Sequence, residues 1–242
     1  MEPITAIILA AGALMVTGRK RKSVTSPAPG VSGDGNYSPA KDPNAPKKGD
    51  PVRVEMAIEI RRMSVWYSSR YNSMPLLADY LTVVAFIESR FGPSAINPEV
   101  SSNPENAARG LFGMRPRTAF RGSIKNLTSQ PNLLLDPKWA FVTALYGVWS
   151  ACNRVHSESP IPPDWASVRR WWASYSLASD FEYEKEHSKV NTERLLSGIE
   201  KCNNNYGTNI NPSFINSPVM GWGNFPGMDV ILQDYGLGGN VS

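Results

Sequence analysis

Cysteine and histidine are scarce, two of each in 242 residues, and their positions exclude several kinds of site. No Cys/His cluster has the spacing of metal ligands. Cys152 and Cys202 leave two readings open: one disulfide in an oxidising compartment, or two buried free thiols. His156 and His187 lie in polar contexts that read as surface. A Gly-rich phosphate loop is also missing; Gly236-Leu237-Gly238-Gly239 reads as a flexible tail. Strand-like alternation is scarce. Charge of either sign is modest, at 19% of residues with a net +4. That balance suits an anionic polymer such as cell wall or nucleic acid without selecting one. No apolar run reaches the ~20 residues that comfortably span a bilayer.

The longest apolar run is Ile4 to Val16, broken only by Thr5 and Gly12 and followed at once by Arg19-Lys20-Arg21-Lys22. A secretory signal has its basic residues before the apolar stretch, whereas here Glu2 precedes it. Residues 1–22 therefore read as a hydrophobic anchor with a basic flank, the alternatives being a cleaved or partner-buried segment. With basic residues on the inner side, the rest of the chain stays on that inner side of the membrane. That topology is natural for a virion protein, in which residues 19–22 are placed to contact packaged nucleic acid.

Residues 23–51 are rich in Ser, Pro, Gly, Ala and Lys without periodicity, and read as a flexible linker. The rest of the chain reads as helical. Met56, Ile60, Met63 and Tyr67 mark a first amphipathic helix. Asp136-Pro137 is an N-cap followed by proline at the first helical position, with Trp139, Val142, Tyr146 and Trp149 on the inner face. Asp164 opens a helix with Trp165, Val168, Trp172 and Tyr175 on one side, and Asp180 opens a charged helix to about Cys202. Residues 203–242 form an Asn/Gly/Pro-rich extension that Trp222, Phe225 and Tyr235 strap onto the domain.

Chemistry concentrates in one place. Leu77, Leu81, Val84 and Glu88 fall on one helical face, three apolar residues and then a carboxylate. A carboxylate on a packed face is costly unless paired or protonated. Gly92-Pro93 stops the helix, so Glu88 also sits at the negative end of its dipole. Burial and dipole both favour the protonated acid, as general-acid catalysis near neutral pH requires. The rival reading is an ion pair with Arg90 or another arginine.

The segment Glu88-Ser89-Arg90-Phe91-Gly92-Pro93-Ser94-Ala95, with Gly110-Leu111-Phe112-Gly113-Met114-Arg115-Pro116-Arg117-Thr118 after a polar loop, resembles the core signature of the lytic transglycosylase and goose-type lysozyme superfamily. That signature is Glu-Ser-x-Phe-x-Pro-x-Ala, then Gly-Leu-Met-Gln-x-x-Pro-x-Thr. Phe112 stands for the Met and Gly113 for the Gln, and the intervening loop is longer. Ala173-Ser174-Tyr175-Ser176 is similar to the family's later Ala-Tyr-Asn. The resemblance covers roughly residues 75 to 200.

The resemblance implies a mainly α, lysozyme-like domain over residues 52–202 with at most a small β-hairpin. It implies an enzyme that cleaves peptidoglycan glycan strands at the MurNAc-GlcNAc β-1,4 bond, leaves 1,6-anhydro ends and needs no cofactor. Glu88 is then acid and afterwards base. Ser89 either orients the acetamido or peptidyl region of substrate or is a polar helix-end residue. Tyr175 either fixes the Glu or is a core aromatic with a wet hydroxyl. Gly110 and Leu111 supply backbone and packing, and Phe112 and Met114 floor the groove or fill core. Trp171 and Trp172 point about 100° apart, so that one stacks on sugar or both fill core, the safer reading for either. Most glycosidases use two carboxylates; Asp79, Glu99 and Glu105 are the other acids to weigh. Expected partners are peptidoglycan, a membrane through residues 4–16, and viral capsid or membrane proteins; the location is a virion, or otherwise a bacterial envelope. The competing class is a structural virion or wall-docking protein that keeps a degenerate muramidase fold, which the departures at Gly113 and Ser176 favour.

Overall fold

A computed structural model describes residues 37–96, 107–158, 161–174 and 181–240, the side chains of 170–174, 181–189 and 240 excepted. Expectations placed on residues 1–22, on Glu99 and Glu105, and on Tyr175 and Ser176 lie outside those residues, as do the side chains of Trp171, Trp172 and His187.

The chain is mainly helical: α1 (Pro51–Tyr71), α2 (Leu77–Ser89), a short α3 (Pro116–Ala119), α4 (Pro137–Glu158), α5 (Trp165–Ser174), α6 (Phe181–Tyr206) and α7 (Met228–Asp234). Local chemistry sets several of the starts. Asp50 accepts from the Arg53 N–H at 3.1 Å, with Pro51 in the first turn of α1. Asp136 accepts from Lys138 and Trp139 N–H at 2.8 and 3.1 Å, and Asp164 from Ser167 N–H at 2.7 Å, so the caps of α4 and α5 stand where the sequence put them. Among the described residues the only β pairing is isolated bridges, two of which join Arg109 to Ile96 and to Met114.

Helix α2 is the axis of the fold, packed between α1 and α6. All ten residues from Leu77 to Phe86 are buried, so the single inward face expected from Leu77, Leu81 and Val84 is too narrow. A helix buried all round occupies the middle of a core rather than its edge. Its end also differs from expectation. The helix stops at Ser89, before Gly92-Pro93, because Arg90 and Phe91 both take positive φ, 54° and 62°. Left-handed backbone at two consecutive non-glycine residues costs on the order of 1–3 kcal/mol each. Phe91 offsets part of that by burying its ring completely, 4.9 Å from the Tyr206 ring centroid.

Two flanking segments are more ordered than their composition suggests. Residues 37–50, inside the expected linker, pack on the domain, with Asp42 only 2% exposed. The glycine-rich end, read as a flexible tail, caps α7 instead. Gly236 N–H donates to Gln233 at 3.0 Å and Leu237 N–H to Leu232 at 2.7 Å, and the Leu237 side chain is buried. Trp222, Phe225 and Tyr235 do pack against the core, Tyr235 also donating from its hydroxyl to the Met63 carbonyl. Both cysteines are free and buried, with no disulfide between them.

Candidate functional site

The last turn of α2 and the hairpin-like turn from Arg109 to Met114 meet, which brings the two motif blocks together. Arg109 and Met114 exchange backbone hydrogen bonds of 3.0 and 3.2 Å across the turn. Gly110 N–H donates to the Ala95 carbonyl at 2.8 Å, tying the second block to the end of the first. Gly110 has φ +75°, and a Cβ there would lie 1.9 Å from the Leu134 carbonyl oxygen. Only glycine allows this approach.

Ser89 joins the same two pieces. Its hydroxyl lies 3.0 Å from the Ala85 carbonyl and 2.9 Å from the Leu111 carbonyl, 22 positions later. A hydroxyl has one proton, so it donates to one of these at a time. Ser89 thus clamps the turn to the helix. Leu111, Phe112 and Met114 point into the core. They hold the turn from beneath.

Glu88 stands at the rim. The sequence placed its carboxylate on an inward face; instead its side chain is 28% exposed, because the buried stretch of α2 ends at Phe86 and the helix itself at Ser89. The carboxylate is paired from one side. Its Oε1 accepts from Nη2 of Arg169 at 2.6 Å. On the other side lies Gly113, with φ +57°: a Cβ built there would sit 3.0 Å from Glu88 Oε2 and 3.2 Å from its Cβ. The position that departs from the signature is therefore one that a side chain would fill at the expense of Glu88.

Arg169 is the residue that sequence reasoning missed. It is 2% exposed and lies one helical turn after the buried Trp165, so it faces inward. The signal was present in the Trp165–Arg169 spacing, i and i+4 on the helix opened by Asp164. Its partner, 81 positions away, was not. Among the described residues the guanidinium makes one hydrogen bond: its buried Nε and Nη1 have no partner there. Tyr80 lies near this pair. Burial pushes its hydroxyl well above the usual range, and the Arg169 charge pulls it partly back.

Asp79, the second acid among the described residues that the sequence brought forward, belongs elsewhere. It binds Arg61 at 2.8 Å and Asn44 at 3.1 Å in a buried network. His156 is exposed and packs its ring 5.4 Å from Trp222. Among the described residues no group of three or more His, Cys, Asp and Glu could hold a metal ion, and no helix is long and apolar enough to cross a membrane.

No family model, curated protein or solved structure matches the chain.

Proposed function

We propose that the chain is a peptidoglycan lytic transglycosylase of lysozyme-like fold, with Glu88 as its acid and base. The observation that carries this reading is the meeting of the two motif blocks around one carboxylate. Glu88 has one oxygen taken by Arg169 and the other beside the Gly113 backbone, at the rim. In its protonated form such a group gives a proton to a glycosidic oxygen as the C1–O bond breaks, leaving an oxocarbenium-like sugar. The resulting carboxylate then takes the proton of the C6 hydroxyl of the same N-acetylmuramic acid. Its oxygen closes on C1, giving a 1,6-anhydro sugar and regenerating the acid. Water does not enter the balance, and a second carboxylate is not needed. Residues 1–22 tether the enzyme to a membrane, in a virion entering its host or in a cell envelope.

The ion pair itself favours a second reading, a non-catalytic wall-docking or virion protein, since a buried arginine is reason enough to keep a glutamate. Zymography on purified wall separates the two. Glu88→Gln keeps the shape but cannot donate and regain a proton, so cleavage falls by on the order of 10²–10⁴ while circular dichroism is unchanged. Mass spectrometry of the digest finds anhydro termini, one water lighter than reducing ends. Reducing termini alone make the enzyme a hydrolase; full activity in Glu88→Gln assigns the acid to another residue; no cleavage by the wild type leaves the docking reading.

A further inference from the structure

We propose that Arg169 is the positioning residue of Glu88: it holds Oε1, and so assigns the proton transfer to Oε2, the oxygen beside Gly113. The inference rests on the catalytic reading of Glu88 and adds to it which oxygen acts, and why.

Three observations converge. First, the contact is short and one-sided. Arg169 reaches Glu88 through Nη2 alone, at 2.6 Å, and touches only Oε1. A bidentate pair, the stronger arrangement for arginine and carboxylate, would occupy both oxygens. Second, the guanidinium is poorly served. It is 2% exposed, and among the described residues its buried Nε and Nη1 have no acceptor. Buried donors left without acceptors are costly, and a buried ion pair is often no better for stability than apolar residues of the same volume. Third, the far oxygen has space by virtue of a residue with no side chain. At Gly113 a Cβ would stand 3.0 Å from Oε2, and the backbone there takes φ +57°. α5 thus fixes one oxygen through a rigid buried group, and the turn leaves room at the other. The departure from the signature at Gly113 and the buried arginine belong to one arrangement.

The test uses the full chain and its Arg169→Met, Arg169→Lys and Gly113→Ala variants. Three quantities are read: kcat and KM for release of anhydro ends from soluble glycan strands, the melting temperature, and the side-chain carboxyl ¹³C resonance of Glu88, assigned by its absence from Glu88→Gln. Misplacing a reacting group by ~1 Å costs on the order of 10²-fold. Arg169→Met should lower kcat by at least about 10-fold with KM within about 3-fold, and should move the resonance. Lysine keeps the charge without the planar fork, and recovers part of kcat. Gly113→Ala lowers kcat in the same way. Wild-type kcat and an unmoved resonance in Arg169→Met overturn the proposal, as does a lower melting temperature with kcat intact. Wild-type kcat in Gly113→Ala overturns the assignment to Oε2. Should Arg169→Met not fold, Arg169→Lys decides: reduced kcat with KM kept supports positioning, wild-type kcat and resonance refute it. A wild type that cleaves nothing defeats the catalytic reading; the resonance then decides separately whether Arg169 holds Glu88.

Discussion

Arg61 and Arg169 are each 2% exposed, yet Arg61 donates to two carboxylates and Arg169 to one oxygen. Arg61 binds Asp42 through Nε and Nη2 at 2.6 and 3.0 Å, and Asp79 through Nη1 at 2.8 Å. Its acceptors are served in turn: Asp42 also takes the Tyr37 hydroxyl at 2.8 Å and the Asn44 N–H at 2.9 Å, and Asp79 the Asn44 side-chain amide at 3.1 Å. Burial opposes the Arg61 charge, but the hydrogen bonds and fields of the two aspartates outweigh it and push the guanidinium above its ordinary range. This cluster is closed: each of its charged groups has an oppositely charged partner, and Arg61 and Asp42 are almost wholly buried. The Arg169–Glu88 pair is open: among the described residues two donors have no acceptor, and the acid has an edge in solvent. A satisfied buried network rigidifies and specifies a fold. An incompletely satisfied one costs stability.

The largest expected effect comes from breaking the closed cluster. Asp42 lies in the segment expected to be linker, so a chain starting near Pro51 was expected to keep the whole enzyme domain. It loses Tyr37, Asp42 and Asn44 instead, and leaves the buried Arg61 with Asp79 as its one carboxylate, beside the Thr82 hydroxyl. Removing one partner of a buried ion pair costs about 3–5 kcal/mol, which for a chain of this size lowers the melting temperature by roughly 6–20 °C. The point substitution Asp42→Ala should do the same, whereas a chain starting just before Tyr37 should melt like the full one. Equal melting of the two truncations would show that the cluster is not what secures the segment.

A smaller effect is expected from alkali, on the same side of the molecule. Burial raises the Cys202 thiol from 9.0 to about 11, with Arg61 and Asp79 exerting opposing influences. The neutral thiol is the form that the fold stabilises. Its contribution is therefore complete below pH 9.0, the unfolded value, and is lost as pH rises through about 11. Two units correspond to about 2–3 kcal/mol. Melting temperature followed from pH 8 to 11 should fall more steeply for the wild type than for Cys202→Ala, and the thiols should react with a disulfide reagent at pH 8 only after unfolding. Parallel slopes would mean that Cys202 is not held as the thiol.

Local signals carried far in this chain, and tertiary pairing limited them. Asp136-Pro137 and Asp164 announce their helices because a cap acts within three residues. The turn at Gly110 was visible as a glycine, though not the reason for it, since the Leu134 carbonyl that forbids a side chain comes from a different part of the chain. Asp42 was lost in a composition that reads as linker, because its partner Arg61 stands 19 positions on and the network closes only when α1 packs on α2. Glu88 was found by periodicity, but its surroundings were misjudged: the end of α2 depends on Arg90 and Phe91 taking positive φ, which the buried Phe91 ring stabilises.

The smallest expected effect is the stability cost of Glu88→Gln, and it is the sharpest test of the contrast between the clusters. Glutamine keeps an oxygen where Arg169 Nη2 donates and gives up only the charge. Hydrogen bonds involving a charged group are worth about 1 kcal/mol more than neutral ones, and the partial exposure of Glu88 reduces even that. Among the described residues the arginine's other two donors have no acceptor, and the solvent at the rim, where the Glu88 side chain is 28% exposed, offsets part of the lost counter-charge. The melting temperature should stay within about 4 °C of wild type, against the much larger fall for Asp42→Ala. Thermal melts of the two variants side by side measure the difference. If Glu88→Gln melts as low as Asp42→Ala, Glu88 is a keystone like Asp42, the distinction between closed and open clusters fails, and any loss of wall cleavage in that variant reports unfolding instead of chemistry.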